Sequence, residues 1–340
     1  MISGHGDHDT VLHSIFGWNI QGLGAEKVSD PHFHECLCDT SCRHTAKHAD
    51  AAPPFIRQAQ IASPALIAFV EPKRGADPAV LKHYKAYHSA RIERVAEEGG
   101  FSTVACEDGG ATLYVHDRVA AYVKNDHTTA QFPEVVAIEF DKAFFSASSN
   151  VIVVVAYISC SELAAAKKYI DVHQTTQLAA LSELLCNFRA AGYQVLFFSD
   201  VNGYVLDFNG YDGCESEYDT EKDITTFSGV DLPLRRASSC SHTRRNSNGK
   251  EFLSLCIAAE LMIVNGVRGE KFFDSGCTRD SCRAIDGGGS VIDFFACSAE
   301  IFGQLQSLHI AEKTHFSDHN KLLLSWSGSS SMPRAPTTLS

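Results

Sequence analysis

The segment VLFFSDVNG, residues 195–203, begins with apolar residues and ends with an acid and an amide. On a strand, residues i and i+2 face the same side, so Asp200 and Asn202 are predicted to point in one direction. Beyond the end of a strand, such a pair could hold a water molecule and a phosphate oxygen. For this pair taken alone, an Asx-turn that bonds the local backbone is the better interpretation.

Three other apolar segments adjoin groups of the same chemical kind, which changes that balance. Asn19 lies in GWNIQG, Glu71 follows LIAFV, and Asp318 and His319 precede NKLLLSW. Carboxylate and amide oxygens are the ligands that Mg²⁺ prefers, and a nearby imidazole can orient or deprotonate water. These residue types indicate a metal-assisted hydrolytic centre, provided that the fold brings them together.

The elements that must position these groups are mostly strands. The apolar spacing of residues 173–192 predicts a helix, and residues 249–266 are predicted as a helix followed by a strand. Residues 99–119 are predicted as two strands around a turn at Gly109–Gly110. Further strands are predicted in HSIFGWNIQGLG, PALIAFVEPK, EVVAIEF, VIVVVAYI, SVIDFFACS and HNKLLLSW. Paired strands with few intervening helices predict an α/β, four-layer sandwich of two packed mixed β-sheets flanked by helices, rather than strict βαβ alternation.

Composition limits the class of protein. The chain has 340 residues, is 44% hydrophobic and carries a formal net charge of −12, which argues against a passive nucleic-acid coat. The longest apolar run, VIVVVAYI, is far shorter than the ~20 residues needed to span a bilayer. The polar N-terminus has no signal-peptide pattern, so we expect an intracellular protein of the nucleus or cytoplasm that is not secreted and has no membrane partner. The 12 cysteines are then expected to be mostly reduced thiols. No feature of the sequence sets an oligomeric state.

Taken in order, the segments resemble the exonuclease–endonuclease–phosphatase superfamily, which has the deoxyribonuclease I-like fold. The segments that carry the resemblance are GWNIQGLG, ALIAFVEPK, VVVAYISC, VLFFSDVNG, GGSVIDFFACS and HFSDHNKLLLSW. WNIQGLG and NSNGKEFLSLCIAAELMIVNG are most similar to the endonuclease domains of non-LTR retrotransposons, which nick target DNA.

The resemblance implies one endonuclease/exonuclease/phosphatase-type domain over residues 13–327, with insertions near 28–58 and 204–248. Residues 1–12 are expected to be a flexible N-terminus, and the polar tail 328–340 is expected to be disordered. The implied function is a Mg²⁺-dependent DNA endonuclease, with Mn²⁺ as a substitute ion. DNA is the implied partner, together with a reverse transcriptase if the chain is part of a longer polyprotein.

Site residues follow from the same resemblance. Glu71 would be the principal Mg²⁺ ligand, with Asn19 and Asp318 as the other metal-site positions. Phosphodiester hydrolysis needs an aligned water and neutralisation of the oxyanion, and these residue types can supply both.

The resemblance implies catalytic roles as well. Tyr157 would lie beside the scissile phosphate, Asp200 would orient or activate the attacking water, and Asn202 would bind the phosphate. Asp293 would hold His319 in one tautomer and favour its protonated form.

The sequence departs from the usual family pattern near these residues. Ser199 replaces the glycine that normally precedes the acid, and Pro72 follows Glu71 where Thr or Ser is commoner. Val291 stands where many relatives have Arg before the Ile-Asp pair. Cys160 occupies a position that is often Asn, which would remove a phosphate contact. These changes bear on rate and substrate preference more than on fold.

Two polar segments need separate interpretation. Residues 32–48 contain Cys36, Cys38 and Cys42, but their spacing is not a common zinc pattern, so we expect a His-rich insertion loop rather than a structural Zn²⁺ site. The basic segment 234–250 is as consistent with solvated surface as with a DNA-phosphate grip. The residues proposed for the grip are Arg244 and Arg245.

Two alternatives remain at the level of function. The same fold could serve a phosphomonoesterase or an inositol or lipid phosphatase. It could also serve a catalytically weak nucleic-acid-binding module, which the substitutions Ser199 and Cys160 would favour.

Overall fold

The structure is a computed structural model of the chain. It describes residues 10–23, 25–30, 33, 63–74, 77–97, 100–160, 164–173, 175–205, 208–209, 218–219, 224–227, 230–233, 235–236, 245–267, 272–274, 276–279, 289–311, 314 and 316–329.

Strands dominate the described part of the chain. They are β1 (Thr10–Asn19), β2 (Leu66–Val70), β3 (Tyr84–Glu97), β4 (Gly100–His116), β5 (Val123–Asp126), β6 (Val135–Phe140), β7 (Val151–Tyr157), β8 (Gln194–Asp200), β9 (Phe208–Asn209), β10 (Tyr218–Asp219), β11 (Ile224–Phe227), β12 (Val230–Pro233), β13 (Arg235–Arg236), β14 (Leu261–Ile263), β15 (Phe272–Phe273), β16 (Asp293–Ser298), β17 (Leu305–Ile310) and β18 (Leu322–Ser329). The helices are α1 (Ala25–Ser29), α2 (Lys142–Phe145), α3 (Ala164–His173), α4 (Gln177–Ala190), α5 (Ser247–Ala258) and α6 (Ala299–Gln304).

Two large mixed sheets form the body of the molecule. The first has seven strands in the order β15-β17-β18-β1-β2-β4-β3, and the second has six in the order β14-β16-β8-β7-β6-β5. The predicted α/β class with two packed mixed sheets is confirmed. β1 begins at Thr10, and its antiparallel partner β18 ends at Ser329. The seven-stranded sheet therefore extends slightly beyond the domain bounds of 13–327 that the sequence predicts.

A buried apolar layer lies between the two sheets, and a second layer packs α4 and α5 onto the outer face of the six-stranded sheet. The inner layer takes alternate residues from facing strands, such as Leu66 and Ala68 from β2 and Val153 and Val155 from β7. The intervening β7 residues, such as Val154, pack against the helices instead. This alternation explains why VIVVVAYI is apolar throughout, since both of its faces are buried.

The ends of the central strands meet at one edge of each sheet. In the seven-stranded sheet, β1 and β2 are parallel, and Asn19 is opposite Val70. In the six-stranded sheet, Asp200 is opposite Tyr157 on one side and opposite Asp293 on the other. Register alone therefore groups the predicted site residues of each sheet.

The prediction of two strands around Gly109–Gly110 is wrong. β4 runs without interruption from Gly100 to His116 and pairs along its length with β3, which the sequence analysis did not identify. Both glycines have positive φ, 73° and 91°, and the β3–β4 register shifts between Ser89 and Arg91. The glycines therefore mark an irregularity within a strand rather than a hairpin turn.

The helix predicted over 173–192 is shorter than expected. α4 begins after Thr176, whose hydroxyl accepts a hydrogen bond from the Ala179 amide, and a separate helix, α3, precedes it. Thr176 is an N-cap, so the helix cannot extend to residue 173. None of the helices in the described ranges has the length and apolar content needed to cross a bilayer.

The two sheets are in close contact where Gly17 on β1 faces Phe198 on β8. A Cβ added to Gly17 would lie 2.4 Å from a ring carbon of Phe198, and Phe198 is only 1% exposed. This contact leaves no room for a side chain, so the sequence must place glycine there.

We expect Gly17→Ala to lower the free energy of unfolding by about 1–3 kcal/mol, because overpacking forces Phe198 to move. Denaturant unfolding of purified protein measures the loss. The matched control is Gly303→Ala, because no described atom lies within 4 Å of a Cβ at that position. Adding Phe198→Leu should make the double variant more stable than the sum of the single losses predicts. Strict additivity would show that the two side chains do not compete for this space.

Candidate active site

One buried amide joins the two sheets at the edge where the strands end. The Nδ2 group of Asn19 donates to Asp200 Oδ2 at 2.7 Å and to Glu71 Oε2 at 3.1 Å. Its Oδ1 atom accepts from the Gln21 amide at 3.1 Å. Asn19 therefore brings an acid of the six-stranded sheet together with an acid of the seven-stranded sheet.

Glu71 has a backbone conformation that is unusual for its residue type. Its φ is 54°, in the left-handed region where residues other than Gly, Asn and Asp are uncommon. The Glu71 amide donates to Gly110 O at 2.9 Å, and its carbonyl accepts from the Gly22 amide at 2.8 Å. These bonds fix the turn that follows β2, and the Glu71 carboxylate is left partly exposed, 3.2 Å from Lys73 Nζ.

Asp200 and Asn202 form the Asx-turn that was the favoured interpretation of the pair alone. The Asn202 amide donates to Asp200 Oδ1 at 2.8 Å, and Asn202 Nδ2 donates to Ile158 O at 2.9 Å. The expectation that both side chains follow strand alternation is wrong, because β8 ends at Asp200 and Asn202 has a φ of 49°. The turn binds Asp200 through one oxygen while Asn19 binds the other.

Asp293 and His319 form a buried ion pair next to Asp200. His319 Nδ1 lies 2.8 Å from Asp293 Oδ2, and both side chains are at most 2% exposed. Burial by itself lowers the pKa of His319, but the charges of Asp293, Asp200 and Asp318 outweigh it and raise the pKa to about 9. Burial, and then the charge of Asp293, raise the pKa of Asp200 to about 7. At neutral pH, His319 is therefore an imidazolium whose Nε2–H is available as a donor.

Asp318, the third residue predicted for the metal site, contacts Arg279 and lies beside His319. Its Oδ2 atom accepts from Arg279 Nε at 3.0 Å, and its Oδ1 atom lies 3.7 Å from His319 Nε2. The sequence analysis did not identify Arg279, which is separated from every predicted site residue along the chain.

The carboxylates present suit a divalent cation. Ligand atoms of Asp200, Asp293 and His319 lie within 4.8 Å of one another, but an imidazolium has no free lone pair, so only the two carboxylates of this group could bind an ion. Asp293 Oδ1 and Asp318 Oδ1 are buried and have no hydrogen-bond partner among the described residues. Buried carboxylate oxygens without a donor are costly unless a cation or a proton satisfies them.

Tyr157 is a neutral phenol at the end of β7. It is 7% exposed, and burial, together with the charges of Glu71 and Asp200, raises its pKa. A charged guanidinium, that of Arg91, lies 5.6 Å from the ring centroid. The phenol can therefore donate a hydrogen bond but does not act as a base near neutral pH.

The sequence also did not predict the ion pair between Arg91 and Glu134, which lies beside Tyr157. Arg91 Nη2 lies 3.0 Å from Glu134 Oε1, and the same oxygen accepts from the Gly110 amide at 3.1 Å. Gln177 donates to Glu134 Oε2 at 2.7 Å. The close approach explains the Gly109–Gly110 pair, because a Cβ on Gly109 would lie 2.2 Å from Glu134 Oε1.

The predicted basic grip is described only in part. Arg244 and the segment containing Cys36, Cys38 and Cys42 lie outside the described residues. Arg245 Nε donates to Val205 O at 3.1 Å, which ties it to the chain that follows Asn202. Its role in DNA binding stays a prediction.

Comparisons with known proteins support the fold. No protein-family model and no curated protein sequence matches the chain. Among solved structures, the chain is similar to the 3'-5' exonuclease NExo from Neisseria meningitidis, with a TM-score of 0.54 and 14% identity over 92% of this chain and 99% of that chain. A second structure, the 3' phosphatase NExo from Neisseria bound to product DNA hairpin, gives a TM-score of 0.53 at 14% identity with the same coverage. The AP endonuclease LMAP from Leishmania major gives 0.51 at 13% identity over 93% and 87% of the two chains.

The fold predicted from the sequence, that of the exonuclease–endonuclease–phosphatase superfamily, is confirmed. At this level of identity the likeness establishes the fold alone.

We expect Asp293→Asn to lower the pKa of His319 from about 9 toward or below its ordinary value of 6.5, because burial remains after the partner charge is lost. NMR titration of the labelled imidazole measures this shift. Asp274→Asn is the matched control, since it removes a carboxylate beside a different histidine, His309. A His319 pKa that stays near 9 in Asp293→Asn would contradict the assignment of the pair.

Proposed function

We propose that this chain, which has the exonuclease–endonuclease–phosphatase fold, is a divalent-metal-dependent hydrolase that cleaves phosphodiester bonds in DNA. The observation that supports this best is the junction at Asn19, whose amide contacts both Glu71 and Asp200. Beside it, Asp293 holds a buried imidazolium, His319. Asp200, which can accept a proton, and the imidazolium of His319, which can donate one, therefore lie at the same edge of the sheets.

Asp200 is the proposed base for the attacking water. Its pKa of about 7 makes proton acceptance feasible near neutral pH, and its two hydrogen bonds, from Asn19 and Asn202, fix the carboxylate plane. The Asp200 carboxylate is buried, so bulk water has little access to it.

His319 and Tyr157 are the proposed donors to the phosphate. His319 presents Nε2–H, since Nδ1 is bonded to Asp293, and the phenol of Tyr157 remains protonated. Donors fixed before the reaction begins stabilise the charge that develops on phosphate oxygens. Asn202 is the proposed further phosphate contact.

Glu71, Asn19 and Asp318 are the proposed holders of Mg²⁺ or Mn²⁺. When bound, the ion would offset the negative charge of the phosphate oxygens and of these carboxylates. Such an offset is needed because the site gathers several acids around the point where an anionic substrate must enter.

The finer proposal is internal nicking of DNA, as in the endonuclease domains of non-LTR retrotransposons. It depends on the segments WNIQGLG and NSNGKEFLSLCIAAELMIVNG. The second candidate is removal of a terminal phosphate, which gains support because one similar structure is named as a 3' phosphatase.

We expect Asp200→Asn, Glu71→Ala and His319→Ala each to lower the turnover of DNA cleavage by at least ~10²-fold, the scale of losing one catalytic donor or base. The assay follows nicking of supercoiled plasmid with Mg²⁺ and with EDTA. Parallel reactions use a duplex with a 3'-phosphate and an inositol phosphate, with phosphate release as the readout.

Glu300→Gln is the matched control, because Glu300 bonds Ser148 at the opposite end of β7 from Tyr157. Metal-dependent nicking alone supports the endonuclease, and phosphate release from the duplex alone supports the second candidate. Full activity in all three site variants would overturn the site assignment. No nicking and no phosphate release from any substrate would overturn the proposal that the chain is a hydrolase.

We further expect the pH profile of kcat/KM for DNA cleavage to rise through a pKa near 7 and to fall through one near 9. The rise reflects loss of the proton from the base, Asp200, and the fall reflects loss of the proton from the donor, His319. In Asp293→Asn both limbs should move to lower pH, because the charge of Asp293 raises both values. A profile that moves in only one limb, or in neither, would contradict these roles.

A further inference from the structure

A short segment, Cys277–Arg279, is tied to both of the chain segments that carry the buried ion pair. Thr278 Oγ1 accepts from the amides of Ile292 and Asp293, and the Thr278 carbonyl accepts from the Asn320 amide at 2.7 Å. The backbone of Arg279 pairs with Ser290 at 2.8 and 3.0 Å. Arg279 therefore begins from a position that is fixed relative to Asp293 and His319.

The side chain of Arg279 contacts the acid cluster through Asp318 and is partly exposed to solvent. Its Nε donates to Asp318 Oδ2 at 3.0 Å, and the side chain is 37% exposed. Within the described ranges, Asp318 is the one acceptor bonded to this guanidinium. An Arg side chain has five N–H donors, so the Nη edge keeps its capacity for a second acceptor.

The electrostatic surroundings keep this group charged and oriented. Partial burial alone lowers the pKa of Arg279, but the charges of Asp318, Asp200 and Asp293 raise it. Arg279 therefore lies within the electrostatic reach of Asp200, the proposed base, and of Asp293, which holds His319.

We propose that Arg279 binds a non-bridging oxygen of the scissile phosphate through its Nη groups while Asp318 holds its Nε. The inference rests on the proposed function, since it names the substrate contact of that same site. It assigns Asp318 a second task, which is to orient a phosphate ligand.

The charge of the site gives this contact a physical reason. A phosphate diester that approaches Asp200, Asp293 and Asp318 meets like charge, so a fixed cation must compensate. The planar guanidinium fork suits phosphate oxygens better than a lysine point charge does.

A double-mutant cycle between protein and DNA tests the contact. The wild-type chain first maps a cleavage position in a short duplex, and no cleavage at all would overturn the proposed function and this inference with it. The same duplex is then made with a neutral methylphosphonate at the mapped position. Dissociation constants are measured with Mg²⁺ in an Asp200→Asn background, which keeps the DNA intact.

Arg279→Ala should raise the dissociation constant of the native duplex about 10-fold or more, the scale of one charge-assisted hydrogen bond. It should change that of the methylphosphonate duplex much less. Arg279→Lys should give an intermediate loss, because charge remains without the fork. Equal fold-changes on the two duplexes would overturn the inference and leave Arg279 as a structural partner of Asp318.

Two controls separate this outcome from general effects. Arg118→Ala removes an arginine that bonds the Ser63 carbonyl just beyond the C-terminal end of β4, and it should affect both duplexes alike. Asp318→Asn should retain part of the coupling between Arg279 and the phosphate charge. If Asp318→Asn abolishes all discrimination between the duplexes while Arg279→Ala preserves it, the phosphate contact belongs elsewhere.

Discussion

The hydrogen bonds from Asn19 to Asp200 and Glu71 set the geometry on which the candidate site depends. They form only if β1 and β8, which belong to different sheets, lie at the right separation. Two residues upstream on each strand, Gly17 faces Phe198 without an intervening side chain. Because residues i and i+2 of a strand share a face, this close core contact and the polar contact at the tips belong to one row. Packing in the apolar layer therefore determines the distance between Asn19 and Asp200.

Crowding of negative charge is the second constraint, and it explains the protonation states. Asp200, Asp293 and Asp318 surround His319, so proton release from the imidazolium would leave uncompensated carboxylates in a buried site. The same crowding, added to burial, makes ionisation of Asp200 difficult. The same crowding of carboxylates therefore raises the pKa of both Asp200 and His319. Any change in the charge of Asp293 alters both, as expected for coupled titrating groups.

Sequence patterns predicted those parts of the site that depend on single strands. Asn19, Glu71 and Asp200 are recognisable because each lies at the polar end of an apolar segment, whereas Tyr157 was predicted only from the family resemblance. Strand register places Tyr157 opposite Asp200 and Asn19 opposite Val70, which precedes Glu71. Arg279 had no comparable signal, since it is positioned by a hydrogen bond that the neighbouring Thr278 accepts from the Asp293 amide. The error at Gly109–Gly110 has a similar origin. A glycine pair is typical of a turn, and only the approach of Glu134 from the other sheet reveals its use within a strand.

The Arg91–Glu134 pair shows how a buried charge can serve position more than stability. Desolvating both groups offsets much of their attraction, so the pair is weak evidence for a large gain in folding free energy. The hydrogen bonds of Glu134, however, hold specific backbone amides in place. Glu134 Oε1 holds the Gly110 amide, whose residue accepts the Glu71 amide, and the Glu134 carbonyl accepts from the Tyr157 amide. One residue therefore fixes backbone in both sheets, at the turn that carries Glu71 and at the strand end that carries Tyr157.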